Sequence, residues 1–599
     1  MRGTSFRLTL YILVLLGLLG LAVRPGAATV ARLASDAELT RSSRLVVQGA
    51  VRSVSSQWNG ESIYTYVEVD IERVYKGAVQ NRRIVVKQLG GSVGNLAMGI
   101  DGAPTFRGGE QVLLFLDTWP DGALRVTHLF MGKYDIVRNA KSGRTSVRRS
   151  VDEGAVRLLS SSVTGEMTHE GDLVAFQEKI LRYVREQESD SPEAEAAPLF
   201  EVPREYRPAA RNGSGGPQSE NGKYVLLLDG NVYRRWFEPD SGQAVGIWFN
   251  LTQAPNGNAH SSLVNGMNAW NNVETSKIVL SFAGYTSAGG FSADFLSTIS
   301  FNDPLGQLSD PNPFDCSGIV AGSAYVRRSN ESKVVNKVLF YRTLESDVVF
   351  NNGWTGLPCP LFDDDPSTKI IEEVAAHELG HSIGLGHSST ADAIMRATVS
   401  NNGRGARLGF DDHVGVSFIY PEPGNPIDNS RYFIGWHYRD WLEREPDAGG
   451  WDYWTNELAT CASNPGCDLG TRRLAVALAF PYSIEFFQQI DTRFNPSNRG
   501  TSAYNDAFVQ ECYERYWRRS KDSNSWVDYL NARIPNTDDD YRTVIGAFIN
   551  NDEYRSRFDP NLCNPHARQV CEDGGGLWNN TSCTCRFDPC LSLKRPICP

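Results

Sequence analysis

The chain carries the stretch His377-Glu-Leu-Gly-His381-Ser-Ile-Gly384-Leu-Gly-His387, which reads H-E-x-x-H-x-x-G-x-x-H. Four residues separate the first two histidines, so a helix places both imidazoles on one face, within reach of one metal ion. Glycine takes positive φ without steric cost, so Gly384 lets the chain turn out of the helix and bring back His387 as a third ligand. Three histidines with a fourth position open to water are typical of a catalytic zinc site. Glu378 is then placed beside the metal as a general base.

The residues just before this stretch favour a helix. Apolar side chains recur there at the spacing of one buried helical face: Ile370, Ile371, Val374 and Ala375. Pro366 and Ser367 are residue types that suit a helix start. A core helix with histidines at chance spacing is the alternative, and the added glycine and third histidine argue against it. We therefore predict one catalytic Zn²⁺ held by His377, His381 and His387.

The motif resembles that of the metzincin zinc proteases, and most closely that of the matrixin branch. Ser388 follows the third histidine as it does in matrixins, and Met395 stands eight residues past His387, at the position of the family's Met-turn. The resemblance implies that Met395 packs beneath the metal. Residues 318–325 are similar to the edge strand of a matrixin cleft, and residues 347–354 to the next strand and its loop. The resemblance covers about residues 223–423.

An edge strand can bind an extended peptide through backbone hydrogen bonds. The resemblance implies a substrate edge strand made of Ile319, Val320, Ala321, Gly322, Ser323 and Ala324. Because such a cleft is open at both ends, we expect an endopeptidase that cuts protein or peptide substrates. Zinc-activated water would attack the peptide bond, with Glu378 as the general base.

The sequence also departs from the matrixin pattern. Matrixins hold a second, structural zinc with histidines on these two strands, but Gly322 and Val349 stand at the matching positions, so we expect a single zinc ion. Asn351 and Asn352 replace calcium-loop carboxylates. The acidic run 363–365 offers oxygen ligands to Ca²⁺, but one short run supplies too few of them. A solvated loop is the favoured interpretation, and calcium stays unsupported.

Two further departures concern specificity and latency. Arg396-Ala397-Thr398 follows Met395 where matrixins commonly have Tyr-Pro, so the wall of the specificity pocket is not predictable. No cysteine precedes Cys316. A thiolate from the N-terminal side therefore cannot hold the enzyme latent.

Length and composition bound the organisation. At 599 residues the chain is too long for one core, so we expect three to five domains. The net charge of −11 is spread without a basic block, which argues against a nucleic-acid partner. Residues 1–28 have the basic start, apolar core and small-residue end of a secretory signal. The apolar run of 16 residues is short for a membrane span of about 20.

We therefore expect export, with a secreted, extracellular or cell-surface location and no membrane span after signal removal. An uncleaved N-terminal anchor is the alternative. Cysteine usage agrees with export, since six of the 11 cysteines crowd into residues 563–599. A zinc knuckle around Cys583 and Cys585 is the rival interpretation of that cluster. Two more disulfides are expected: Cys316 with Cys359, and Cys461 with Cys467. Cys512 is then left over.

Taken together, these features predict a multidomain protein: an N-terminal mainly-β domain, an α+β metzincin catalytic domain, an all-α repeat domain and a small disulfide-rich C-terminal tail. The expected bounds are 1–28 for the signal peptide, 29–185 for the mainly-β domain, 186–222 for a disordered linker, 223–423 for the catalytic domain, 430–558 for the helical repeat domain and 563–599 for the tail. The mainly-β domain could be a small barrel. It could serve as a propeptide that covers the cleft or as a permanent accessory domain.

The catalytic region has recognisable elements of its own. Periodicity predicts strands at 245–249, 319–326 and 336–350, and helices at 260–273 and 411–420. These elements surround the zinc motif in sequence. We expect them to form the sheet and helices that carry it.

An imperfect repeat lies in the C-terminal half. Residues 437–454 recur as 512–529, and residues 473–487 recur as 541–558. Each unit predicts two or three amphipathic helices, and the region resembles a helical domain of unknown function found in exported bacterial proteins. Its aromatic residues are interpreted first as helix-packing core. The alternative is a surface for a carbohydrate or protein ligand.

Two function classes fit these features. The favoured one is a secreted zinc endopeptidase. The other is a cell-surface binding or adhesion protein that uses a metzincin-like scaffold. The intact Glu378 favours the enzyme, because a scaffold has no chemical use for a general base beside the metal.

Overall fold

The structure is a computed structural model of the chain. It describes residues 29–139, 143–149, 157–159, 166–188, 224–229, 232–254, 259–308, 318–351, 369–400, 402–559, 562–573, 577–579 and 583–586. Within these ranges we find no helix that is both long and apolar enough to cross a bilayer. The predicted signal peptide and most of the predicted linker lie outside the described residues.

The N-terminal region is built mainly of strands. Its elements are β1 Thr29–Arg32, α1 Asp36–Ser42, β2 Leu45–Asn59, β3 Ser62–Lys76, β4 Arg83–Leu89, β5 Gly91–Val93, β6 Leu96–Ile100, β7 Gln111–Thr118, β8 Leu124–Val126, β9 Lys133–Arg138, β10 Thr145–Arg149, β11 Arg157–Leu159, β12 Glu170–Asp172 and α2 Leu173–Glu188. Strand β8 pairs with both β4 and β7, which closes β7-β2-β3-β4-β8 into a small barrel. Val67 and Val69 are fully buried inside it, as the alternating pattern of β3 requires.

The region predicted to be catalytic contains both strands and helices. Its elements are β13 Leu228–Asp229, β14 Val232–Arg235, β15 Val245–Asn250, α3 Ala259–Asn271, β16 Leu280–Tyr285, β17 Thr298–Phe301, β18 Gly318–Val335, β19 Val338–Phe350, α4 Ile370–Ser382, β20 Thr398–Val399 and α5 Phe410–Ile419. The sheet runs β16-β15-β17-β19-β18, with β18 antiparallel to β19 and the other neighbours parallel. The predicted strands and helices are present with small shifts at their ends, and β18 continues to Val335.

Helix α4 carries the zinc motif and is buried around nearly its whole circumference. Gly266 of α3 allows the two helices to approach closely, because a Cβ there would lie 3.1 Å from the Ala375 side chain. The indole N–H of Trp270 donates to the Ala376 carbonyl at 2.8 Å. Helix α4 begins at Ile370, and the two residues predicted for its start lie outside the described ranges.

The C-terminal region is helical. Its helices are α6 Ser430–Leu442, α7 Ala448–Ala462, α8 Leu469–Ala479, α9 Ser502–Tyr516, α10 Ser525–Asn531, α11 Asp538–Ile549 and α12 Asp552–Arg555. The sequence repeat corresponds to two three-helix units, α6–α8 and α9–α11. Trp441 and Tyr516, one from each unit, are fully buried with ring centroids 5.7 Å apart. These two aromatic residues therefore serve as core between the units.

The cysteines agree in part with the expected pairing. Cys461 is bonded to Cys467, as predicted, and Cys563 is bonded to Cys583. Cys512 is buried and has no disulfide. Cys316, Cys359 and residues 587–599 lie outside the described residues. The described part of the tail adds α13 Pro565–Asp573, β21 Leu577–Asn579 and β22 Thr584–Arg586.

Hydrophobic clusters cross the boundaries between the three regions. Phe410 of α5 packs edge-on against Trp436 of the helical region and shares its hydrophobic cluster. Ile319 and Ala324 of β18 share another cluster with Phe115 of the barrel. The catalytic region is therefore packed against a neighbour on two sides.

Candidate zinc centre and substrate cleft

Three imidazoles meet at the end of helix α4. His377 and His381 lie one helical turn apart, and His387 returns from the loop that follows. The His377 Nε2 atom lies 2.9 Å from Nε2 of His381 and 3.1 Å from Nε2 of His387. None of the three side chains is more than 4% exposed. The structure thus brings together the three residues that the motif predicts as ligands.

Backbone carbonyls fix the orientation of two of these rings. Nδ1 of His377 lies 2.8 Å from the Ile394 carbonyl oxygen, and Nδ1 of His381 lies 2.7 Å from the Leu385 carbonyl oxygen. A carbonyl oxygen can only accept a hydrogen bond, so each Nδ1 carries the proton. Each Nε2 then presents a lone pair to the common centre.

Lone pairs packed this closely repel each other unless a cation lies between them. A neutral imidazole with its other nitrogen hydrogen-bonded is the usual protein ligand for zinc, and the second bond also fixes the ring direction. Among the described residues, these three histidines form the single group of metal-binding type. The donor set therefore fits one Zn²⁺.

Gly384 makes the turn that returns His387. Its φ is +102°, and a Cβ at this position would lie 2.5 Å from the carbonyl oxygen of Arg234. The adjacent backbone is held by β-type contacts, since the Gly386 N–H donates to the Val225 carbonyl at 2.8 Å. Both the φ angle and the close approach require glycine here.

Gly384→Ala is expected to lower the free energy of unfolding by at least about 2 kcal/mol, because φ strain and a steric overlap add. Zinc binding should weaken with it, since the turn positions His387. Gly424→Ala is a matched control: its φ is +105°, and nothing lies within 4 Å of its added Cβ. Denaturant unfolding and zinc content check both. Equal losses in the two variants would mean that the contact with Arg234 is unimportant.

Met395 lies directly beneath helix α4. A Cβ added to Gly380 would lie 2.2 Å from the Met395 sulfur, and Met395 is 2% exposed. The sequence motif placed Met395 near the metal, but the need for glycine at Gly380 is visible only in the structure. Glu378 lies on the same helix between His377 and Gly380 and is fully buried.

The matching positions for a second zinc site carry no ligand. Gly322 and Val349 are cross-strand partners in the β18–β19 pair, so the two positions do face each other. Neither side chain can bind a metal. Residues 352–368, which include the acidic run 363–365, lie outside the described residues.

The predicted substrate strand is covered by the chain itself. Residues Gly318–Gly322 of β18 pair antiparallel with β1, and residues Ala324–Arg328 pair antiparallel with β6. Strand β11 then joins β1 to the short strand β20. Strands of the N-terminal region therefore occupy the edge that the resemblance assigns to substrate, whereas the prediction of an open cleft assumes that this edge is free.

A buried polar contact fastens this cover. Asp101, just after β6, accepts a hydrogen bond from Ser323 Oγ at 2.8 Å, and its own N–H donates to the Ser323 carbonyl at 3.0 Å. The Arg234 guanidinium donates to the same carboxylate at 3.4 Å. Burial raises the pKa of Asp101 to about 7, and Arg234 offsets part of the shift.

The far wall of the cleft is tied to helix α4. Glu373 is buried and accepts a hydrogen bond from the Ser400 N–H at 2.7 Å. Glu372 accepts one from the Ala406 N–H at 3.2 Å. These two bonds hold the segment after Met395, whose shape the sequence could not predict.

Sequence reasoning also missed two aspartates at the start of α5. Asp412 accepts hydrogen bonds from the N–H groups of Ile394 and Met395, at 2.6 and 3.1 Å. Asp411 accepts one from Ser388 Oγ at 2.6 Å. Two adjacent acidic residues in the first turn of a helix were a visible signal, but their partners were not.

Residues 252–421, which hold the histidine pair of helix α4 and Met395 beneath it, match the family model described as Matrixin.

Individual relatives match over short segments. Metalloendoproteinase 4-MMP of Arabidopsis thaliana is 44% identical over 71 residues, which cover 12% of this chain and 21% of that protein. Matrix metalloproteinase-2 of Drosophila melanogaster is 43% identical over 58 residues, covering 10% and 8%. Interstitial collagenase of Sus scrofa is 40% identical over 75 residues, covering 12% and 16%. The chain therefore matches about a fifth or less of the length of these relatives.

Proposed function

We propose that this protein is an exported zinc-dependent endopeptidase. The observation that carries the proposal is the buried centre of three histidine Nε2 atoms, with Glu378 on the same helix and Met395 beneath. The matrixin match over residues 252–421 supports it. The relatives named above are a metalloendoproteinase, a matrix metalloproteinase and a collagenase.

The residues of the chain divide the work of hydrolysis. When bound, Zn²⁺ polarises the scissile carbonyl and lowers the pKa of water to about 7. Glu378 takes the proton from the attacking water and passes it to the leaving amine. The two Nδ1–H bonds orient the rings of His377 and His381. Neutral imidazole ligands would not cancel the charge of the bound metal, and that charge would stabilise the oxyanion.

The substrate is a protein or peptide in extended form. It would pair with Ile319–Ala324 by backbone hydrogen bonds, with Thr398–Val399 as the opposite wall. Since β1 and β6 hold the outer edge of β18, substrate can bind there only after those strands leave.

Residues 29–188 therefore act as a pro-domain in this proposal. No cysteine is available to reach the zinc from the N-terminal side, so the block is made by strand pairing and by the Asp101 contact. The same strands share a hydrophobic cluster with Ile319 and Ala324, which makes the closed state the stable one.

The function is tested with chelation. Mature protein freed from its N-terminal region should cut casein and lose that activity in a strong chelator, because the three histidines are its metal site. Added zinc should restore the activity. The zinc content, measured by elemental mass spectrometry, should approach one ion per chain. Cleavage that survives removal of all zinc would refute the proposal. A freed protein that holds zinc yet cuts nothing would favour the binding-scaffold alternative.

A further inference from the structure

We propose that Arg439 of the helical region is a positioning residue for the zinc centre, acting through Asp411 and Ser388 on the loop that carries His387. The inference rests on the proposed function in that it concerns the same zinc site. The proposal gives the helical region a part in forming the zinc site.

A chain of short hydrogen bonds links the two regions. Arg439 lies on α6, and its guanidinium donates to Asp411 Oδ1 at 2.6 Å. The other oxygen of Asp411 accepts from Ser388 Oγ at 2.6 Å. Asp411 is fully buried, and the Arg439 side chain is 9% exposed. Charge-assisted bonds at this length and burial are strong and directional.

Ser388 transmits this contact to the metal site. It follows His387 directly, and its N–H donates to the Met395 carbonyl at 2.8 Å. Its Oγ also accepts from the Thr390 N–H at 3.0 Å. Ser388 therefore fastens the third histidine's loop to the Met-turn through its backbone N–H and to the buried carboxylate through its hydroxyl.

The surroundings of Arg439 make its charge necessary. Its guanidinium lies over the ring of Phe410, 4.8 Å from the centroid, and over Trp436 at 5.3 Å. The Glu445 carboxylate accepts a hydrogen bond from Nε of Arg439 at 2.8 Å, which fixes the orientation of the guanidinium plane. In such apolar surroundings a carboxylate that has lost its cation is costly. Asp411 would then draw in water or turn towards another donor, and either change alters its bond to Ser388.

Arg439→Met in the full chain is expected to weaken zinc binding by about 10- to 100-fold, the range seen when groups that orient metal ligands are lost. Zinc affinity is measured by competition with a chromogenic chelator. The visible spectrum of the cobalt-substituted protein reports the geometry of the three histidines and should change as well. Arg439→Lys keeps a charge near Asp411 and should recover most of the affinity.

Two controls separate positioning from stability. Arg444→Met removes another arginine pair at the end of α6, the one to Glu485 at 2.5 Å, without touching Asp411. Its zinc affinity should stay within about threefold of the unmodified protein, a change of less than 1 kcal/mol. Ser388→Ala removes only the hydroxyl. Its effect should not add to that of Arg439→Met, because both act through one carboxylate.

The proposal is overturned if Arg439→Met lowers the melting temperature yet leaves zinc affinity and the cobalt spectrum unchanged. If Arg439→Met fails to fold, Ser388→Ala decides the matter by the same two readouts: an unchanged zinc affinity and an unchanged cobalt spectrum would overturn the proposal. Both are read without substrate. A protein that binds zinc but cuts nothing would therefore contradict the proposed function while this test still gives its own answer.

Discussion

Freeing the cleft from its N-terminal cover is expected to raise peptidase activity by at least about tenfold, since each 1.4 kcal/mol lost from the closed state multiplies the open population by ten. The variant is Asp101→Ala, which removes the carboxylate bonded to Ser323 and Arg234. Losing one partner of a buried, charged hydrogen bond costs about 2 kcal/mol or more. In the closed state Arg234 would have lost the Asp101 carboxylate, whereas in the open state water can solvate its guanidinium. The substitution should therefore destabilise the closed state more than the open state.

A cleavable chain extends this experiment. A recognition sequence for a site-specific protease is inserted within residues 212–216, Asn-Gly-Ser-Gly-Gly. After cutting, the N-terminal region is held only by contacts, because the linker no longer keeps it at high effective concentration. Specific activity on a quenched fluorescent peptide should then rise on dilution. The uncut chain should show no such dependence.

The control variant is Asp70→Ala, which removes an exposed carboxylate paired with Arg83 on the barrel surface. It should leave the activity of the uncut chain unchanged. Hydrogen exchange supplies a measurement that needs no catalysis. Within residues 318–328, the amides that bond to β1 or β6 should be protected in the uncut chain and exchange after cutting and dilution, while those that bond to β19 stay protected. Equal activity and equal protection in the two forms would disprove the pro-domain role.

Glu378→Gln is expected to lower kcat of the freed enzyme by about 10²- to 10⁴-fold, the usual contribution of a positioned general base. The amide keeps the size of the side chain but cannot accept a proton from water. Zinc content should remain that of the parent protein, because Glu378 is placed as a base and the histidines are the metal site.

The matched control for this variant is Glu372→Gln on the same helix. Glu372 accepts hydrogen bonds from the Ala406 N–H on one oxygen and from the Asn265 amide on the other. A glutamine keeps one of these acceptors, and Asn265 can turn its own amide oxygen towards the new NH₂ group. Its kcat should stay within about threefold of the parent, since surface-type hydrogen bonds contribute little. If Glu378→Gln retained full activity, the general base would have to be another residue.

Local spacing predicted the centre of the site and little of its surroundings. His377, His381 and His387 are fixed relative to each other by one helix and one glycine turn, so eleven residues of sequence suffice to place them. The sheet elements were predicted for a similar reason, because periodicity is a local property. The cap of α7 is local in the same way, because Asp447 accepts a hydrogen bond from the N–H of Gly450, only three residues later.

Long-range partners were out of reach. Nothing near Thr29 indicates that it lies opposite Gly322 on β18, since a strand can pair with any edge of suitable register. The bond between Arg439 and Asp411 joins two ordinary surface-type residues whose burial arises only when α5 and α6 pack together. The sequence showed no reason to treat either as part of the zinc site.

The carbonyl oxygens of Ile394 and Leu385 that hold two of the histidines belong to the backbone. No substitution of a side chain removes a backbone carbonyl, so the course of the backbone determines the tautomer of each ring. Residues 394 and 385 can therefore be replaced by other residues that fit the packing, and the orientation of the histidine ligands is kept. Comparison of related sequences would therefore show drift at two positions whose main-chain atoms are as necessary to metal binding as the histidines themselves.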